Sequence, residues 1–139
     1  MKNIFSLKDK VALITGAGGL LGPKHAEAII EYGGKVILTD HHLDRVQAQK
    51  ERLNEKYNSN VALCYHMDVT DPLSVKSVVD SVDSIDILIN NAAKDPKVKK
   101  DAGLTPAGRF ETMTPEYWNE GIDAALHGTF YCSQAVCNK

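Results

Sequence analysis

Residues 10–40, KVALITGAGGLLGPKHAEAIIEYGGKVILTD, constrain this chain more than any other stretch. An apolar run, Val11-Ala12-Leu13-Ile14, ends at Thr15 and gives way to a turn containing Gly16, Gly18, Gly19 and Gly22. Helical spacing follows through Ala26, Ile29 and Ile30 to Gly33-Gly34, and a second apolar run, Val36-Ile37-Leu38, ends at Thr39-Asp40. The order reads as strand, tight turn, helix and parallel strand, the opening unit of a dinucleotide-binding domain.

Each residue type has a physical reason to be there. Glycine lacks a β-carbon, so the turn reaches dihedrals closed to other residues and lets a diphosphate approach the backbone. A helix starting near Gly22 offers unpaired N–H groups and the positive end of its dipole to that anion. Pro23 suits the first turn, where its missing N–H is not needed. Gly22 and Ala26 share a face that can sit close to the sheet, and Gly33 is the expected stop. Asp40, eighteen residues after Gly22, can accept hydrogen bonds from a ribose diol and would repel a 2′-phosphate. That favours NAD(H) over NADP(H). The plainer reading makes Asp40 an ordinary strand-end residue, and methyltransferase sites also use glycines after a first strand. A triphosphate P-loop fits poorly, because this turn closes as Gly22-Pro23-Lys24-His25 rather than Gly-Lys-Ser/Thr.

At 139 residues, with 43% apolar and 24% charged side chains, the chain suits one soluble globular domain. A formal charge of −2 supplies no broad basic field, which argues against nucleic acid as a partner. Cys64, Cys132 and Cys137 have neither zinc-finger nor CxxC spacing. Cys64 reads as a small buried thiol. The first ten residues carry charges and no sustained apolar stretch, so neither a secretory signal nor a membrane partner is expected and a cytoplasmic location is.

Residues 1–9 read as a lead-in or arm, with Ile4, Phe5 and Leu7 against the domain. His41-His42 would border the adenosine side, without a metal. Residues 43–57 have helical spacing, with Leu43, Val46, Leu53 and Tyr57 on the dry side. Residues 61–67 form a third strand. Asp68-Val69-Thr70 at its end can meet an adenine or cap a helix, and both readings stand. Asp71-Pro72 can start the next helix, with Val75, Val78, Val79 and Val82 inward. Residues 85–89 form a fourth strand leading to Asn90-Asn91-Ala92-Ala93. That turn suits the inner side of a cofactor groove, its amides tying neighbouring strand ends; on chemistry alone it is equally a simple turn. Residues 94–113 read as a long loop, with Lys94, Lys97, Lys99 and Lys100 a solvated charge run or an attraction for an anionic substrate. Thr114-Pro115 begins a helix continuing through Phe130 and on towards Val136, in which Trp118, Ile122 and Leu126 form an apolar stripe for core or subunit contact first and cofactor packing second. Gly121 and Gly128 weaken it locally and allow close packing.

Taken together, TGAGGLLG at 15–22, Asp40, DVT at 68–70, NNAA at 90–93 and W…LHGTF from Trp118 to Phe130 resemble the short-chain dehydrogenase/reductase family over nearly the whole chain. The resemblance implies an α/β fold, here a partial doubly wound Rossmann-type parallel sheet of about four strands with flanking helices. It implies an NAD(P) cofactor, hydride exchange with a small alcohol or carbonyl substrate, and a homo-oligomer. Carried onto this sequence, its cofactor-binding positions are Gly16, Gly18, Gly19, Leu20, Leu21, Gly22, Asp40, Asp68, Val69, Asn90, Ala92 and Ala93.

Three departures accompany the likeness. Leu20 stands at the middle glycine of the common branch, and the Gly16, Gly19, Gly22 spacing looks like the extended branch; NNAA favours the common one. Ala125 stands where that branch usually has an asparagine. No Tyr-x-x-x-Lys occurs in the sequence, so no catalytic residue is assigned and little turnover is expected. Residues 1–139 are therefore expected to be the N-terminal part of one NAD(P)-binding domain, ending before the catalytic segment. The alternative is a non-catalytic nucleotide-binding or regulatory module.

Overall fold

In the computed structural model, which describes residues 4–94, 98–99, 103–104 and 109–139, four parallel strands lie in the order β3-β2-β1-β4. The strands are β1 (Val11–Thr15), β2 (Lys35–Asp40), β3 (Ala62–His66) and β4 (Ile87–Ile89). Helices α1 (Gly22–Glu31), α2 (Leu43–Lys56) and α3 (Pro72–Ser81) make the crossovers. The doubly wound sheet follows from strand alternation. Ala12, Ile14, Val36 and Leu38 face one core with Ala26 and Ile30 of α1 and Val46 and Leu53 of α2. Leu13 and Ile37 face the other, with Val75, Val78 and Val79 of α3. Each fully buried Leu, Ile or Val contributes roughly 1.5–3 kcal/mol.

The helix ends are chemically specified. After α1, Gly33 takes φ +91°, its N–H donates to the Ile30 carbonyl at 2.9 Å and the Gly34 N–H to that of Ile29 at 3.0 Å. This paired motif satisfies two otherwise orphaned carbonyls. Asp71 caps α3 by accepting from the Leu73 N–H at 2.9 Å. Leu43 remains 43% exposed, so the dry side of α2 is narrower than its spacing predicts.

Strand β4 is shorter than predicted because Asp86 serves as a clamp just before it. Its carboxylate accepts from the Lys10 ammonium at 2.7 Å and the Val11 N–H at 2.9 Å. The Lys10 hydrogen bond, then that of the Val11 amide, holds its carboxyl below the ordinary 3.8. A lowered folded-state value contributes stability above the unfolded value, lost as pH falls through the folded one. Asp86→Asn should therefore melt lower than the unaltered chain at pH 7, with the gap closing on acidification below about pH 4. Melting curves at both pH values check this.

Beyond β4, two-residue strands β5 (Val98–Lys99) and β6 (Gly103–Leu104) pair antiparallel within the predicted loop. The side chains of Lys97, Lys99 and Lys100, predicted as a charge run, lie outside the described residues. Helix α4 (Pro115–Ile122) is capped by Thr114, whose hydroxyl accepts from the Tyr117 N–H at 3.2 Å. The long predicted helix is not uniform: a π turn at Asp123–His127 separates α4 from α5 (Gly128–Cys137). Its wider winding changes the phase of the apolar stripe. Trp118 and Leu126 are more than half exposed, as is Phe130. Among the described residues they belong to neither core; Cys132, 1% exposed, anchors α5 instead. Burial pushes the Cys132 thiol up to about 11, so it is a protonated packing group at neutral pH. Cys64 is only partly buried.

Gly128 gives α5 its close approach, since an added β-carbon would lie 2.8 Å from Val69 Cγ2; one at Gly121 would meet no described residue outside its own helix within 4 Å. Ile4 and Phe5 are mostly exposed rather than buried against the domain, while the Leu7 N–H donates to the Tyr32 carbonyl at 2.7 Å. Among the described residues no helix is long and apolar enough to cross a membrane.

Candidate functional site

The carboxyl ends of β1, β2, β3 and β4 converge on one edge, where the strand order reverses around β1. Open α/β sheets bind ligands at such an edge. Two clefts of about 570 and 420 Å³ open there and share Gly16, Asp40, His41, Ala92 and Ala93, so they form one groove.

The glycine turn forms its floor. Gly16 has φ +60°, and a β-carbon there would lie 2.8 Å from Ala92 Cα. The turn is pinned to β2: the Ala17 N–H donates to the Thr39 carbonyl at 2.9 Å and the Gly18 N–H to Asp40 Oδ2 at 3.0 Å. The Gly19 N–H closes back on the Gly16 carbonyl. Leu20 and Leu21 follow with exposed side chains. Among the described residues their N–H groups have no protein acceptor, and α1 has no side-chain cap. Uncommitted amides at a helix start are anion donors.

Asp40 is 5% exposed. Its Oδ1 accepts from the His42 N–H at 2.9 Å and lies 3.3 Å from His41 Nδ1. Across the groove, the Thr15 hydroxyl accepts from the N–H groups of Asn91 and Ala92, both at 3.0 Å. The Asn91 side-chain amide donates to the carbonyls of Thr15 at 2.9 Å and Gly16 at 3.0 Å. This is the predicted tie between strand ends. Asn90 instead turns away, donating to Ser133 Oγ at 3.2 Å, and lines neither cleft.

Asp68 and Val69 line the larger cleft with Met67, Ala92, Ala93 and Ala124. Asp68 does not cap α3; Asp71 does. Its carboxylate accepts from the Thr70 N–H at 2.9 Å and hydroxyl at 2.8 Å. Burial opposes its ionisation, but the Thr70 hydrogen bonds and the fields of His41 and His66 hold its carboxyl below the ordinary value. Lys94 pairs with Glu120 across the rim and sits 4.7 Å from the Tyr117 ring centroid.

Eleven of the twelve predicted positions, Gly16, Gly18, Gly19, Leu20, Leu21, Gly22, Asp40, Asp68, Val69, Ala92 and Ala93, thus lie in the turn or along its flanks. Asn90 does not. Sequence reasoning gave no groove role to Met67, Arg45, Glu120, Asp123 or Ala124. The last three come from α4 and the π turn, whose phase no periodicity announces. The arrangement offers anion donors at the turn, a carboxylate acceptor beside them, and a cleft with apolar side chains at Met67, Val69, Ala92, Ala93 and Ala124.

The family model for short chain dehydrogenases matches residues 10–139. The chain is 32% identical over 136 residues to a trans-4-hydroxycyclohexanecarboxylate dehydrogenase of Sinomonas cyclohexanicum, covering 92% of this chain and 49% of that protein. It is 32% identical over 143 residues to an NADP-dependent mannitol dehydrogenase of Alternaria alternata, covering 98% and 50%. It superposes with TM-score 0.76 and 26% identity on a 3-ketoacyl-(acyl-carrier-protein) reductase from Brucella melitensis complexed with NADH, covering 96% and 50%. The chain spans about half the length of these relatives.

Proposed function

Because this chain belongs to the short-chain dehydrogenase family, we propose that its groove binds a nicotinamide dinucleotide, as the cofactor-holding part of an oxidoreductase acting on a small alcohol or carbonyl compound. One observation carries the reading: uncommitted amides at Leu20 and Leu21 lie on the same groove as the nearly buried carboxylate of Asp40.

The residues fit the cofactor. The missing β-carbons at Gly16 and Gly22 leave the turn close to Ala92 and to its own backbone, and the Leu20 and Leu21 amides would hold the diphosphate. Asp40 would accept from the adjoining ribose diol, and the walls at Val69 and Ala124 would receive the adenine. The small side chains of Ala92 and Ala93 would admit the dinucleotide close to β4. When bound, the nicotinamide supplies a hydride acceptor or donor. Exposed Trp118, Leu126 and Phe130 support association with a second copy, and three free cysteines suit a reducing, cytoplasmic location.

The Asp40 carboxylate favours NAD(H), since a 2′-phosphate would meet its charge. Fluorescence titration should show NADH binding about tenfold tighter than NADPH, the equivalent of roughly 1.4 kcal/mol. Equal or tighter NADPH binding would reverse the preference, and absence of binding by both would remove the reading. With no Tyr-x-x-x-Lys in these 139 residues, no positioned general acid is available. NADH oxidation against a carbonyl panel should stay near the uncatalysed rate, and a substantial rate would refute this.

Ala125 favours a second reading, a non-catalytic nucleotide-binding module. It has no polar side chain, and its carbonyl already accepts from the Thr129 hydroxyl at 2.7 Å. An adenosylmethionine arm in the same titration separates methyl-donor binding from both.

A further inference from the structure

Resting on the groove's role as a dinucleotide site, we infer that Asp40 is also a positioning residue, presetting the phosphate-binding turn before any ligand arrives. The last two residues of β2 present consecutive acceptors, the Thr39 carbonyl and the Asp40 carboxylate, to consecutive donors of the turn, the Ala17 and Gly18 N–H groups, at 2.9 and 3.0 Å. Two bonds between short segments fix both position and rotation, where one would leave a pivot. The other carboxylate oxygen is held by the His42 N–H at 2.9 Å, so the side chain is itself gripped from the loop into α2.

The space confirms how close the fit is. A β-carbon on Gly18 would lie 3.1 Å from Asp40 Oδ2 and 2.6 Å from Arg45 Cβ. The turn is seated between the carboxylate and the first turn of α2, and the Leu20 and Leu21 amides are aimed by that seating. The carboxylate oxygens retain lone pairs for a sugar hydroxyl. Asp40 therefore joins the sugar end of the groove to the phosphate end through one side chain.

Inorganic pyrophosphate tests this, because it has no sugar for a carboxylate to meet. If Asp40 served only the ribose, removing its charge would leave pyrophosphate binding unchanged or tighter. The brace predicts the opposite for Asp40→Ala: about fivefold weaker pyrophosphate binding, read from the Leu20 and Leu21 amide shifts, and about tenfold faster hydrogen exchange at Gly18, the scale of one lost charge-assisted hydrogen bond. Asp40→Asn keeps an acceptor oxygen and should retain both Gly18 protection and pyrophosphate affinity. In the unaltered chain, a through-hydrogen-bond coupling between the Gly18 nitrogen and the Asp40 carboxylate carbon should be present, a readout independent of whether a variant folds. Unchanged Gly18 exchange in Asp40→Ala, undiminished pyrophosphate binding, or absence of that coupling overturns the inference. Failure of the unaltered chain to bind NADH would instead remove the cofactor reading, while the Gly18 measurements still judge the brace.

Discussion

Gly22→Ala should be the most damaging small substitution in the groove, weakening NADH binding at least about tenfold and costing about 3 kcal/mol of stability, at the upper end of ordinary overpacking. The new β-carbon would lie 2.5 Å from Ala17 Cα and 2.6 Å from its carbonyl oxygen. These are backbone atoms, so no side chain can rotate away. Ala17 cannot easily retreat, being fully buried with its N–H on the Thr39 carbonyl. The start of α1 must therefore lift, which moves the Leu20 and Leu21 amides. Gly121→Ala is the internal control: with no described residue outside its helix within 4 Å of the added carbon, it should be neutral or stabilise α4 by up to about 1 kcal/mol through helix propensity. Urea unfolding beside NADH titration checks both, and a harmless Gly22→Ala would mean that α1 does not sit as described.

Leu38→Ala should cost about 3 kcal/mol, within the 2–5 kcal/mol usual for leucine truncation in a core. Leu38 is fully buried in β2, registered with Ile14 of β1 and Cys64 of β3, in the core roofed by α1 and α2. Strands paired on both sides cannot easily close the gap. Against a typical total of 5–15 kcal/mol, the loss should lower the urea midpoint markedly. Leu63→Ala on β3, where the leucine is about half exposed, should cost under about 1 kcal/mol. Similar costs at the two sites would contradict the alternation that separates the two cores.

The first crossover was legible because every local signal agrees there. An apolar run, glycines, Pro23 and a second apolar run leave one arrangement, and the Gly33 stop completes it. The helix over 115–137 was less legible. Apolar spacing at Trp118, Ile122 and Leu126 says that a face is to be covered, not by what, and the π turn leaves no mark in periodicity. Asp40 shows the same limit within the groove. Its position at a strand end was readable, but its bond to Gly18 spans 22 residues and depends on how the crossover seats the turn. The paired asparagines divide likewise: identical side chains point to different neighbours, Asn91 to Thr15 and Asn90 to Ser133.

The central place of β1 also bears on how the chain reaches its native state. Val11–Thr15 is synthesised early, yet one of its two flanks is β4, whose partner positions lie about seventy-five residues later in sequence. Until Ile87–Ile89 arrives, an oily ribbon waits with half its ladder open, and closing so long an excursion is entropically slow. Once that excursion closes, the Lys10–Asp86 clasp ties the starts of both ribbons together at 2.7 Å.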